Sequence, residues 1–383
     1  MGFWGVAVPE SVKALAERYG FEYWREKGRM KLFPEEFWID ACRARLPGAL
    51  IPREYGGLGM NLAELCEIVI YLAGKGFSTG LYPLLTNAMS SLVFMDWGTS
   101  RQREVFLPRI AVGDVVVGLS VTEKGSGSDV FSIETEARMA GGRYVINGAK
   151  MFANNVERAS HLLLLARTTP VERVSKRSLG LTLFIVSTKS SGLTYRILEK
   201  MGTDYISTYE LFLENVEVSQ EDVVGNVDEG WKALVRALNA DRIVYAALAI
   251  GTAQFSIEQA SKYASTRKVF GKPIGANQGI QFPLAESYAE TSAGYLLCMD
   301  AARDFDSGGR ADVKACMAKY FATKAALKAV DNALQVLGGY GYLRDWDVER
   351  VFRDIMMLKV GPITQELALA YIAEKGLNLP RSY

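Results

Sequence analysis

The stretch LNADRIVYAALAIG, residues 238–251, sets an aspartate and an arginine inside an otherwise almost wholly apolar run. At helical spacing Asp241 shares its face with Leu234, Ala237, Leu238, Val244, Tyr245 and Leu248. A carboxylate buried among such neighbours is unfavourable unless it is paired or has chemical work to do. Two readings stay open at this point. Asp241 pairs with a polar group across a helical bundle, or it is a general base whose pKa is raised by apolar surroundings.

The rest of the chain narrows the available chemistry. There is one histidine, His161, at the head of an apolar run. That excludes most His-based chemistry, leaves no zinc cluster and no catalytic triad, and marks His161 as structural. Cys42, Cys66, Cys298 and Cys316 are scattered without C-x-x-C spacing, as in a reduced core, so no metal site is expected. An enzyme built from this chain must therefore rely on a carboxylate or a cofactor. VTEKGSGSD, residues 121–129, follows a strand-like run with a flexible loop whose backbone N–H groups can hold an anion or a polar ring edge. No G-x-G-x-x-G opens a helix, which argues against a nicotinamide-type dinucleotide site. STRKVFGKPI, residues 265–274, and LGGYGY, residues 337–342, join basic side chains and glycines suited to phosphate and to close backbone approach.

These groups need a scaffold, and three zones separate by period. Residues 10–113 show apolar spacings of three and four, broken by Gly and Pro. Residues 115–218 carry short β-branched or alternating runs: VVVGLSV, RYVING, HLLLLAR, LTLFIV, LTYRIL and YELFLENVEV. TTPVERVSKRSLG, residues 168–180, reads as an exposed loop between two of them. The helical period returns over 228–269, 276–306, 310–337 and 362–376. Helix, then sheet, then helix without βαβ alternation predicts an α+β multidomain protein whose middle sheet is all antiparallel. The 383 residues, about half hydrophobic with net charge +1, suit a soluble globular protein. Nothing indicates a nucleic-acid or membrane partner, and no apolar run is long enough to span a bilayer. The N-terminus has no signal-peptide pattern, and Val6 spoils a myristoylation match after Met1-Gly2. A cytoplasmic location is the expectation.

The ordered set VTEKGSGSD, GAKMFANN, MGTDYISTYELFLENVEV, YASTRKVFGKPIGANQGIQF and QVLGGYGYLRDWDVERVFRD, with IPREYGGLGMN near residue 55, strongly resembles the acyl-CoA dehydrogenase family. The resemblance covers nearly the whole chain. It implies an N-terminal helical domain (1–116), a middle antiparallel β-barrel or sandwich domain (117–226) and a C-terminal four-helix bundle (227–383). It implies FAD near a dimer interface, and a homotetramer built as a dimer of dimers. On the flavin ring it puts Leu119, Val121, Thr122, Ser128, Phe152, Ala153 and Asn154. Arg267, Val269, Phe270 and Gln278 match positions that reach the FAD of the neighbouring subunit. Gln335, Val336, Leu337, Gly338 and Gly339 match its pyrophosphate-side loop, and Thr364 and Glu366 the last FAD-contacting segment. Substrate contacts fall at Ser128, Asn239, Arg242 and Gly361.

The implied reaction is α,β-dehydrogenation of an acyl-CoA thioester to a trans-2-enoyl product. An α-proton goes to a base, a β-hydride goes to flavin N5, and an electron-transfer flavoprotein takes the electrons. Many relatives carry the base in a Y-E-G-T stretch after R-D. This chain has GPIT at 361–364, which puts Pro362 on the glutamate. Proline has neither a carboxylate nor a backbone N–H to polarise a carbonyl. A minority of the family carries the base on the long helix just before an arginine. Arg242 matches that arginine, so the resemblance makes Asp241 the catalytic base. Gly361, where a tyrosine is common, implies a wider pocket beside the thioester and hence branched or cyclic acyl groups. The alternatives are a flavin oxidase or monooxygenase on the same fold, or a low-activity partner subunit of a heteromeric dehydrogenase.

Overall fold

The computed structural model describes residues 8–309 and 311–382. The leader and lipidation readings at Met1–Val6 lie outside the described residues. The N-terminal region is helical: α1 (Glu10–Arg18), α2 (Phe21–Met30), α3 (Glu35–Arg43), α4 (Leu62–Ala73), α5 (Tyr82–Trp97) and α6 (Ser100–Ala111). Local chemistry sets where two of these begin. Asn61 and Glu64 form a reciprocal capping box at the start of α4, and Thr99 and Gln102 do so for α6.

The middle region holds β1 (Val117–Ser120), β2 (Glu136–Ala140), β3 (Arg143–Asn154), β4 (His161–Arg167), β5 (Leu181–Ser187), β6 (Leu193–Ile197), β7 (Thr208–Ser219) and β8 (Val223–Val224). They form one sheet in the order β6-β7-β3-β2-β4-β5-β8, with β1 also on β4. The sheet is mixed, which corrects the all-antiparallel expectation. β1 runs parallel to β4, with Val117 opposite His161 and Ser120 opposite Leu164. Parallel neighbours need a long crossover, and here the β2–β3 hairpin, rather than a helix, supplies it. Residues 162–166 of β4 are all apolar because both its faces are covered. Leu163 and Leu165 enter the core shared with the helices, while Leu162, Leu164 and Ala166 enter a second core inside the sheet region.

The C-terminal region is built on α7 (Gly230–Thr266), followed by a hairpin of β9 (Lys268–Val269) and β10 (Lys272–Pro273). Then come α8 (Gln278–Asp306), α9 (Asp312–Leu337), α10 (Val348–Ile355), α11 (Met357–Val360) and α12 (Gln365–Gly376). α7 packs on α8 and α9 and also on α4 and α5, so it is the axis joining both helical regions. No single helix among the described residues is long and apolar enough to cross a membrane.

Candidate active site

The N-terminal half of α7 passes from the surface to the interior. Trp231, Lys232, Val235, Arg236 and Asn239 line a groove of about 890 Å³. Its other walls are Ser175, Lys176 and Ser178 from the β4–β5 connection, Trp97 at the end of α5, and Phe305 near the end of α8. Lys232 stands 5.3 Å from the Trp97 ring centroid, and the Arg236 guanidinium 4.3 Å from that of Phe305. Asp96, Glu229 and Asp312 line the same groove, and Arg236 pairs with Asp96 at 2.9 Å and Lys232 with Glu229 at 3.7 Å, so its charge is mixed.

Asp241 follows Asn239 along α7 but shares the face of Leu234, Leu238 and Tyr245, away from the groove-lining residues. It is enclosed by protein yet keeps part of its surface free, as a residue lining an internal hollow does. Among the described residues no donor reaches its carboxylate. Burial pushes its pKa up to about 7, against the opposing pull of Arg242. The reading in which Asp241 pairs with a polar group across the bundle therefore falls away. Arg242 turns aside and donates to Asn239 Oδ1 at 2.6 Å. Tyr245 and Tyr82 are the aromatic neighbours of Asp241, and burial raises both phenols well above their ordinary range.

Gly361 and Pro362 follow α11. A Cβ added at Gly361 would meet Met357 Sδ at 3.0 Å, so bulk there would have to displace a methionine. The segment is held from behind by Lys319 on α9, which sequence reasoning missed. Its side chain is fully buried, and Nζ donates to the carbonyl of Leu358 at 2.6 Å and to that of Ile363. Burial pulls its pKa down to about 8, opposed by Glu366. The signal was present: Lys319 shares its helix face with Ala315, Ala322 and Ala326, all buried. Lys319→Met should leave both carbonyls bare, costing about 1–3 kcal/mol for each. A denaturant midpoint equal to that of wild type would show that the clamp carries no load.

The residues expected on the flavin ring gather on one side of the sheet region. Leu119 lies on β1, with Val121 and Thr122 just beyond its end at Ser120. Thr122 accepts the Met151 N–H at 2.8 Å, tying the GSGSD loop to β3. Ser128 is exposed on that loop. A register shift between Lys150 and Ala153 bulges β3 and holds Phe152 at φ +61, with 62 % of its surface exposed. Ala153 is buried, and Asn154 Oδ1 accepts from Thr208 at 2.7 Å.

Of the second group, Arg267, Gln278 and the 335–339 loop sit at the C-terminal end of α7, while Thr364 and Glu366 lie near Lys319. Arg267 caps that helix, and Gln278 opens α8. Between them the hairpin turns at Phe270 and Gly271, both at positive φ, and Phe270 is fully exposed. Gln335 is exposed, whereas Val336 and Leu337 have their side chains in the core, so only their backbone is free to meet a ligand. Gly338 and Gly339 face open space where a Cβ would stand, a cradle that a ligand can approach closely. Thr364 uses its hydroxyl to cap α12 at Leu367 N, and Glu366 is exposed in the first turn. Arg267 and Asp241 are about 39 Å apart along the helix, so one chain does not bring the two groups together. His161 is packed edge-on against Phe106 at 5.1 Å and pairs with Ser160 at 3.0 Å, a structural position. Among the described residues no cluster suited to a metal ion occurs.

The family models for the N-terminal, middle and C-terminal domains of acyl-CoA dehydrogenase match residues 1–114, 118–216 and 228–377. The chain belongs to the acyl-CoA dehydrogenase family. It is an oxidoreductase of CH–CH groups with FAD as cofactor. The 3-(aryl)acrylate reductase of Clostridium sporogenes is similar to it, 34% identical over 90% of this chain and 91% of that one. Acyl-CoA dehydrogenase FadE12 of Mycobacterium tuberculosis is 33% identical over 98% and 97%. The butyryl-CoA dehydrogenase structure from Megasphaera elsdenii superposes with a TM-score of 0.91 at 27% identity, covering 97% of each chain. Both groups of cofactor residues fit FAD: an aromatic wall and polar loop for a ring, and open glycine backbone with a guanidinium for phosphates.

Proposed function

We propose that this acyl-CoA dehydrogenase removes the α-proton of an acyl-CoA thioester with Asp241 and forms the trans-2-enoyl product. The observation that carries the reading is an enclosed carboxylate that no donor reaches among the described residues, its pKa raised by burial. A base with a pKa near 7 is ionised at neutral pH and still basic enough to take a weakly acidic proton. Asn239 and Arg242 contact the thioester-bearing arm, and Ser128 and Gly361 border the reacting carbons. FAD, held by Phe152, Ala153, Asn154 and the GSGSD loop at its ring and by Arg267, Gly338 and Gly339 of a neighbouring subunit at its phosphates, would supply the two-electron sink for the β-hydrogen. The electrons then pass to an electron-transfer flavoprotein. The similar aryl-acrylate reductase is consistent with a pocket that admits a ring. The test is anaerobic addition of acyl-CoAs to the purified holoprotein. Loss of the yellow flavin colour, with no oxygen consumed in air, is expected. Rapid oxygen uptake instead would assign a same-fold oxidase.

The separation of the two cofactor groups supports an oligomer in which each FAD is shared between subunits, and we propose a homotetramer. Four free cysteines suit a reducing compartment, and we propose the cytoplasm. Arg267→Ala should weaken FAD retention and shift the protein toward smaller species, because its guanidinium contacts a phosphate across the interface. A fully yellow tetramer on gel filtration would show that placement to be wrong.

A further inference from the structure

We propose that the Tyr82–Tyr245 ring pair is the floor of the acyl pocket and restricts this protein to short, branched or single-ring acyl groups. The proposal deepens the acyl-CoA reading above and rests on it. α7 serves as the ruler. Tyr245 lies four residues beyond Asp241 on the same face of α7, whereas the groove residues from Trp231 to Asn239 take another face nearer its N-terminus. An acyl group whose α-carbon sits at Asp241, with its carrier toward the N-terminal end of α7, sends its tail toward Tyr245.

The four residues from Asp241 to Tyr245 advance about 6 Å, room for roughly four carbons beyond the α-carbon. Helical side chains lean toward the N-terminus, so the Tyr245 ring tilts back toward Asp241 and shortens that space. Tyr82, at the start of α5, closes it from the other side. Its ring meets that of Tyr245 edge to face, with centroids 5.4 Å apart at 66°. Its hydroxyl donates to Met357 Sδ at 3.4 Å. Three elements, α5, α7 and α11, thus converge on one point. Only 3% of Tyr82 is exposed, so it has no free space to swing into. Both phenols stay neutral, since burial raises them far above physiological pH. Gly361 opens no lateral room, since a Cβ there would meet Met357 Sδ at 3.0 Å. The pocket is therefore shallow.

The test uses alkyl-CoA thioethers, which lack the carbonyl and cannot react, titrated calorimetrically into the FAD-loaded protein. In an unobstructed apolar pocket the longer alkyl chain binds tighter, because each buried methylene adds affinity. Here butyl-CoA and cyclohexylmethyl-CoA should bind about tenfold or more tighter than decyl-CoA. Tyr245→Ala and Tyr245→Leu should each remove that preference, and Tyr245→Phe should keep it, since the ring is the barrier. Decyl-CoA binding wild type as tightly as butyl-CoA would overturn the proposal. So would an unchanged order in both the alanine and the leucine variant. If no thioether of any length binds, the acyl-CoA reading itself fails and the floor with it.

Discussion

Asp241→Asn should fold, hold FAD and bind acyl-CoA, yet lose flavin colour about 10²–10⁴ times more slowly than wild type. The amide matches the carboxylate in shape but takes no proton. The loss should fall on the bleaching rate and leave ligand affinity nearly unchanged. Stability should move the other way. Asp241 ionises in an enclosed site where burial holds its pKa at about 7, against 3.8 for the free group. The folded state therefore binds the proton more tightly than the unfolded state. The stability that this group contributes is full below about pH 4 and is lost as pH rises through about 7. The neutral amide avoids that loss, so at pH 8 the variant should be at least as stable as wild type. The wild-type rate should rise with pH through about 7 and level off above it, as the carboxylate becomes ionised. Asp241→Glu should keep measurable activity, reduced because a ~1 Å misplacement can cost 10²-fold. Pro362→Glu in the Asp241→Asn background offers a carboxylate at the position many relatives use. Partial rescue there is expected. If Asp241→Asn alone bleaches at the wild-type rate, the base is elsewhere.

Asp241 was legible because a charge on a helix stripe violates a strong period. β4 and β5 were legible as continuous apolar runs, since each is covered on both faces. β2 was not: Glu136–Ala140 reads EARMA, with helix-favouring residues and only Ala137 buried. Its strand state is imposed by pairing with β3. The parallel β1–β4 pairing was hidden for a related reason. Hydrophobic pattern gives a strand its faces but does not name its neighbour, and the neighbour here lies beyond a two-strand excursion. Lys319 broke the period just as Asp241 did. It passed unnoticed because Lys314, Lys324 and Lys328 on the same helix made one more lysine look ordinary. The groove beside α7 combines segments from α5, the β4–β5 connection, α7 and α8, and no local pattern announces such a meeting. The two cofactor groups came from resemblance; that Arg267, Gln278 and the 335–339 loop stand at the C-terminal end of α7 is a fact of the fold.

Lys150→Met should be strongly destabilising, because it leaves a charge buried without a partner. Lys150 has a fully buried side chain on β3, and Nζ donates to Glu123 Oε1 at 2.8 Å and to the Val121 carbonyl at 3.0 Å. The Glu123 carboxylate also accepts the N–H groups of Glu134 at 2.6 Å and Thr135 at 3.0 Å. One ion pair therefore gathers both ends of the loop that presents Ser128. Burial alone would raise the Glu123 pKa, but the Lys150 charge and the N–H bonds outweigh it and hold the carboxyl below its usual range. Breaking a buried pair from one side typically costs about 3–5 kcal/mol, while replacing both charges costs far less. Lys150→Met should thus lower stability by about that amount and speed FAD loss, since the loop beside Phe152 loses its anchor. Adding Glu123→Gln should restore part of the stability, because the stranded charge is gone. It should restore less of the FAD retention, because an amide has one acceptor oxygen for two loop N–H groups. A double variant no more stable than Lys150→Met would mean that the loop is held by something other than this pair.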